Sequence, residues 1–245
     1  MMKLVFLAVP CGRAPEIEAN QAARYALRED DMVEAHTAFF AHGMTCKNMN
    51  DLWVECLNRE IYGFFAMQHA DVAPDNGWLG VLLEEMEEHN LDFIHAPVAF
   101  GNRHGITSTG IGFSGDIWGP VRRITTSERL NMPGTWDLER VKREYEPTAD
   151  RILPNTGCAV WKLGPWASEW RFTMVDRTVE HCGKLCAQSV SEDYVWGHWA
   201  HERGLRVGFT NKITTSHYKR AEFTTREAWG PPRDEEYYRD VAQCA

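Results

Sequence analysis

No apolar run in the 245-residue sequence is longer than Leu4–Val9, and Pro10 breaks that one. Six residues are too few for a signal-peptide core or a membrane span, and no small-residue cleavage site follows. The stretch therefore reads as a first strand, and the expected setting is a soluble protein of the cytoplasm, or of the host cytoplasm if the source is viral. Spacers rich in Gly/Ser or Pro, low-complexity tracts and fixed-period repeats are also missing, which leaves no sign of a linker between domains. Seven cysteines, an odd number scattered from Cys11 to Cys244, give no disulfide framework, so reduced thiols are expected. The grouping His181-Cys182-x3-Cys186, with His198 and His201 beyond it, lacks a second tight ligand pair. With both cysteines expected on a helix, core thiols are a better reading than zinc. Net positive charge is lacking too: at -9 the chain is a poor general nucleic-acid binder. No Gly-x-Gly-x-x-Gly turn and no Walker lysine motif is present.

With 44% hydrophobic residues the chain can bury a sizeable core. Strand-like Lys3–Val9 is followed by turn residues Pro10–Arg13 and by a helix opened by Pro15, with Ile17, Ala22, Ala23, Ala26 and Leu27 as its apolar face. Met32–Phe40 reads as a second strand, 43–50 as a polar loop, and Asn50 as the cap of a helix carrying Leu52, Trp53, Cys56, Leu57 and Ile61. A buried strand over Gly63–Met67 then stops at His69-Ala70-Asp71. The following helix, started by Pro74-Asp75, has Leu79, Leu82, Leu83 and Met86 inside and Glu84, Glu85, Glu87 and Glu88 outside. After a fourth strand over Leu91–Val98 the regular alternation ends. The Gly/Ser/Thr-rich 101–119 suggests short antiparallel strands, Trp136–Tyr145 a charged helix, Leu153–Trp161 a turn feeding a strand, and Pro165–Phe172 a further helix. Ser191 caps a helix ending at Gly204, and Leu205–Phe209 is a last strand. The expected fold is α/β, a single domain with a mostly parallel central sheet flanked by helices and a more irregular C-terminal half.

Strand ends are where such sheets bind ligands, so loops 10–13, 43–50 and 68–75 are expected at one edge. His69 and Asp71, two apart in extended backbone, project to one side and can share a divalent ion. Asp193 and Glu192 sit in a first helical turn, where carboxylates are favoured whatever their function. From Arg203 to Arg226 six Lys/Arg face a single acid, Glu222, a local basic face suited either to solvent or to an anionic ligand.

Taken together, Met67-Gln68-His69-Ala70-Asp71-Val72, Asn155-Thr156-Gly157-Cys158, Ser191-Glu192-Asp193-Tyr194 and the late His217 resemble a glycosyltransferase of the GT-A type, over roughly residues 3–218. The resemblance implies a nucleotide-sugar-binding half over 1–100, an acceptor-binding and catalytic half over 101–230, and a tail over 231–245. It implies a divalent ion, manganese or magnesium, held by Asp71 and His217 with His69 beside it; His69 stands where the family's Asp-x-Asp element has its first Asp. It further implies Asp193 as the base that deprotonates the acceptor in an inverting reaction. A nucleotide sugar, UDP-linked, would lie near Pro10, Arg13, Lys47, Asn48, Asn50, His69, Asn155 and Gly157. The leading acceptor expectation is 5-hydroxymethylcytosine in DNA, steered by Lys212, Lys219 and Arg220, against a saccharide or protein hydroxyl. A nucleotidyltransferase, which would want a glycine-rich Lys/Arg loop after the first strand, and a non-catalytic sugar- or nucleic-acid-binding relative are the competing classes. Trp118, Trp136, Trp161, Trp166, Trp170 and Trp196 are expected mostly in the core.

Overall fold

The computed structural model describes residues 2–11, 15–29, 31–41, 45–101, 104–219 and 221–230. The elements in chain order are β1 (Lys3–Cys11), α1 (Ile17–Arg24), β2 (Val33–Ala41), α2 (Thr45–Arg59), β3 (Phe64–Gln68), β4 (Val72–Pro74), α3 (Trp78–Glu88) and β5 (Phe93–His95). There follow β6 (Ile106–Gly112), β7 (Val121–Thr125), α4 (Thr126–Leu130), β8 (Thr135–Asp137), α5 (Leu138–Glu144), β9 (Arg151–Leu153), β10 (Cys158–Lys162) and a 3-10 turn over Pro165–Glu169. The chain continues through β11 (Val175–His181), β12 (Lys184–Val190), α6 (Glu192–Glu202), β13 (Val207–Thr210), β14 (Thr215–Tyr218) and β15 (Glu222–Thr224).

A seven-stranded sheet in the order β2-β1-β3-β10-β5-β13-β8 forms the centre. β2, β1, β3, β5 and β13 run one way, while β10 and β8 run against them, so the α/β sheet is mixed but mostly parallel. Successive side chains on a strand point to opposite faces. Phe65 and Met67 of β3 and Ala159 and Trp161 of β10 therefore enter one core with Trp53, Phe93, Trp196 and Phe209. Ala66, Cys158 and Val160 enter the other, with Val5, Leu7, Trp78, Leu82 and Ile94. Trp136, Trp161, Trp170 and Trp196 are buried as expected. Among the described residues no helix is long and apolar enough to cross a membrane.

Several local expectations need correction. Helix α2 begins at Thr45, so Lys47, Asn48 and Asn50 lie within a helix rather than a loop; Asn48 and Met49 are buried, and tertiary packing outweighs their weak helix propensity. Ile17 is 73% exposed rather than inside, while Ala22, Ala23 and Ala26 are buried as expected and Ala19 joins them. Glu85 of α3 is not solvated but 3% exposed, answered by Thr135 Oγ1 at 2.5 Å and Lys212 Nζ at 2.5 Å. Residues 165–172 hold only a 3-10 turn. Cys182 and Cys186 lie on a hairpin, β11 against β12, with both thiols exposed. Its tip, Cys182-Gly183, has φ of 50 and 71, the paired left-handed conformation that tight hairpins require. That geometry removes the core-thiol reading for these two, and His198 of α6 bonds to Arg151 Nη1 at 2.7 Å through Nδ1 rather than joining them.

Candidate active site at the carboxyl edge of the sheet

Because β10 is antiparallel to β3, its first residue meets the last residue of its neighbour: Cys158 pairs with Gln68. The turn before β10, Asn155–Gly157, therefore sits against the segment that leaves β3, and the His69 amide donates to the Gly157 carbonyl at 3.0 Å. Asn155 is 2% exposed; its Nδ2 donates to the Ala96 carbonyl at 2.9 Å and its Oδ1 accepts from the Gly157 amide at 3.0 Å. Those two bonds tie β5 to β10 and make Asn155 a turn former, so with Gly157 it shapes the site rather than holding a ligand by its side chain.

A second pairing closes the site from the other side. After β3 the chain forms the short strand β4, which pairs antiparallel with β14 and sets His217 opposite Val72. His217 Nε2 lies 3.5 Å from Asp71 Oδ2. Lys219, two residues further along, donates to the same oxygen at 2.6 Å. The other ring nitrogen of His217, Nδ1, is 2.8 Å from the Ala99 carbonyl. A carbonyl only accepts, so Nδ1 carries a proton and is anchored to the backbone, and Nε2 is the ring nitrogen turned to the Asp71 carboxylate; a histidine held by a backbone carbonyl through its other nitrogen is the arrangement metal-binding histidines use. Burial by itself would raise the Asp71 carboxyl, but hydrogen bonds from His217 and Lys219 and the surrounding positive charge hold it well below the usual carboxylate range. One oxygen and one imidazole nitrogen are a donor set that a divalent transition metal fits. Among the described residues, the group of three potential ligands within 4.8 Å of one another is elsewhere, at Glu85, Glu88 and His89.

His69 makes its side-chain bond on the Asp193 side. Its Nε2 lies 3.3 Å from Thr156 Oγ1, and the Thr156 hydroxyl donates in turn to Asp193 Oδ1 at 2.5 Å. The Thr156 amide donates to the same Asp193 oxygen at 3.1 Å. Since the hydroxyl proton goes to Asp193, His69 is the donor to Thr156. Burial lowers the His69 pKa to about 4, with Asp71 opposing and His217 and Lys219 adding to the effect, so the ring is neutral at pH 7. Asp193 is driven the other way: burial and the Glu192 charge raise it well above the ordinary carboxylate range, against the two Thr156 bonds and the Arg123 charge. Burial raises Glu192 as well. Ser191 precedes α6 as expected but makes no side-chain capping bond.

Most residues expected around a nucleotide are otherwise engaged. Pro10 is buried in β1, and Asn48 donates to the Cys11 carbonyl at 3.0 Å. Asn50 brackets the Phe172 backbone with bonds of 2.8 and 2.9 Å. Lys47 is exposed and paired with Asp51 at 2.5 Å. Arg13, Gly12 and Arg220 lie outside the described residues. The five described cations of the basic stretch are each ion-paired with acids elsewhere in the chain: Arg203 with Glu169, Arg206 with Asp92, Lys212 with Glu85, Lys219 with Asp71 and Arg226 with Asp75.

Two residues were missed as site members. Thr156 links His69 to Asp193, and its place between Asn155 and Gly157 was its only signal. Lys219 was read as part of a basic face, yet its spacing of two from His217 in an extended strand puts both on one side.

No family model matches the chain, and no curated protein matches it. A solved structure, A197 from STIV, aligns with 96% of this chain and 100% of its own at 11% identity and a TM-score of 0.49, too distant a likeness to support any functional conclusion.

Proposed function

We propose that the chain is an inverting glycosyltransferase that moves a sugar from a nucleotide-sugar donor, held through a divalent ion, to an acceptor hydroxyl. The observation that carries this reading is the convergence of four separated sequence pieces on one sheet edge: Asp71 and His217 at 3.5 Å, and His69, Thr156 and Asp193 in one hydrogen-bonded row.

Manganese or magnesium at Asp71 and His217 would neutralise charge on the departing diphosphate as a Lewis acid. Lys219 is the standing counter-ion of Asp71, and its half-exposed ammonium is a further cation for the same diphosphate. Asp193 serves as general base. Both Thr156 bonds fall on Oδ1, which fixes the carboxylate and leaves Oδ2 to take the acceptor proton. A carboxylate raised in this way is a stronger base than a solvated one, and once protonated it is the form its buried setting favours. His69, neutral, orients Thr156.

UDP as the nucleotide is proposed from the resemblance alone. The case for hydroxymethylated DNA as acceptor was the basic stretch, and its described cations are paired internally. DNA therefore stands beside saccharide and protein acceptors in the test. That test is a thermal-shift panel of nucleotide sugars with and without manganese, followed by mass spectrometry of acceptor mixtures. Metal-dependent stabilisation with a mass gain of one hexose on an acceptor is expected. Stabilisation by nucleotides with no dependence on metal, and no sugar transfer, would refute the reading.

A further inference from the structure

Strands β11 and β12 pair with each other and with no other strand, and among the described residues no backbone hydrogen bond reaches them from outside the hairpin. A two-stranded hairpin is marginal on its own in water. One face leans on the body: the Arg177 guanidinium lies 4.2 Å from the centre of the Trp118 ring, and Arg177 Nε donates to Gln188 at 2.9 Å. The other face, Asp176, Thr178, Glu180, Leu185, Ala187 and Ser189, is exposed throughout, with Leu185 at 78%. Both outer edges are therefore open to a further strand.

The two edges differ in what they would accept. β11 carries Asp176, Arg177 and Glu180, and two-fold pairing of two β11 strands about Thr178 would set Asp176 against Glu180. β12 has no charge and no proline from Leu185 to Val190. Across the two-residue turn the closing pair His181–Lys184 is hydrogen-bonded, and alternation then turns the amides and carbonyls of Leu185, Ala187 and Ser189 away from β11. Two-fold antiparallel pairing about Ala187 uses all three, since Ala187 meets its own counterpart and Leu185 meets Ser189. In the same register Lys184 of one protomer lies opposite Val190 of its partner, two residues before Glu192 at the start of α6. Neither Lys184 nor Glu192 has an ion pair within the described chain, so this pairing gives each an opposite charge, twice by symmetry. The geometry points to a homodimer in which two β12 edges join the hairpins into one four-stranded sheet. This does not rest on the glycosyl-transfer reading.

Sedimentation of the full chain should show a monomer–dimer equilibrium with a midpoint on the order of 1–100 µM, the range for a small interface. Ala187→Pro removes an amide that the hairpin itself does not use, and should leave a monomer. Lys184→Glu and Glu192→Lys should each weaken the dimer by about tenfold, and the two together should restore it, which keeps the test open where the proline variant is unstable. In a background with Cys182→Ser and Cys186→Ser, Ala187→Cys should form a covalent dimer under mild oxidation, because residues paired at the axis stand about 5.5 Å apart, within disulfide reach. Thr178→Cys, also exposed and directly across the hairpin, should not. A chain that stays monomeric at about 500 µM, a dimer that Ala187→Pro and Lys184→Glu both leave untouched, or equal cross-linking of the two cysteine variants would overturn the inference.

Discussion

The Asp71 corner and the Asp193 corner belong to one sheet edge, are joined through His69 and Thr156, and treat a carboxylate in opposite ways. Asp71 is reached by Lys219 at 2.6 Å and by His217, which keep it ionised. Asp193 takes two bonds from the uncharged Thr156 and has Glu192 beside it, which with burial disfavours its charge and outweighs the opposing Arg123 charge. Two carboxylates whose environments push them apart can divide labour: one a permanent anion for a cation, the other a proton acceptor.

Removing the anion should do most damage. Asp71→Ala takes away the only carboxylate of the proposed metal pair, and transfer should fall by more than about a hundredfold, with manganese-dependent nucleotide binding lost in calorimetry. Normal turnover in this variant would break the comparison at once. Asp193→Asn should cut transfer by roughly 10²- to 10⁴-fold while leaving donor affinity near normal, because asparagine keeps an oxygen for both Thr156 bonds. Equal losses of binding and transfer would make Asp193 structural.

The same variant carries a pH signature. A carboxyl raised in the folded state contributes stability below its unfolded pKa and loses it as pH rises through the folded value. Asparagine has no such loss. The Tm difference between Asp193→Asn and the unmodified protein should therefore grow in favour of the variant from pH 5 to pH 8. A difference independent of pH would show that Asp193 is not raised.

Smaller effects sharpen the same point. Thr156→Val removes the hydroxyl that lowers Asp193 and orients it; transfer should fall about tenfold, and the acid limb of the pH–rate profile should move to higher pH. Glu192→Gln removes a charge that raises Asp193, so that limb should move to lower pH with little change in maximal rate. Shifts in the same direction for both variants would contradict the electrostatic account.

Legibility from sequence followed locality. β1, β3, the buried stripe of α3 and the start of α6 were readable because each is marked within a few residues, by an apolar run, a leucine periodicity or a first-turn carboxylate. The helix expected around Cys182 and Cys186 is a hairpin, and its local signal in the sequence is the tight Cys182-Gly183 turn between two short segments containing Val. Asp71 and His217 were legible as types, but their meeting depends on β4 pairing with β14 across nearly 150 residues of chain, which no local pattern encodes. Glu85 looked solvated because its buried partners, Thr135 and Lys212, come from distant segments. For the same reason the basic stretch looked like a free surface.

The most direct test of the division between the two carboxylates is calorimetric titration of a nucleotide sugar, with and without manganese, into Asp71→Ala and Asp193→Asn side by side. The account predicts manganese-dependent binding close to that of the unmodified protein in Asp193→Asn and none in Asp71→Ala. Binding that is retained in both variants, or lost in both, would contradict it.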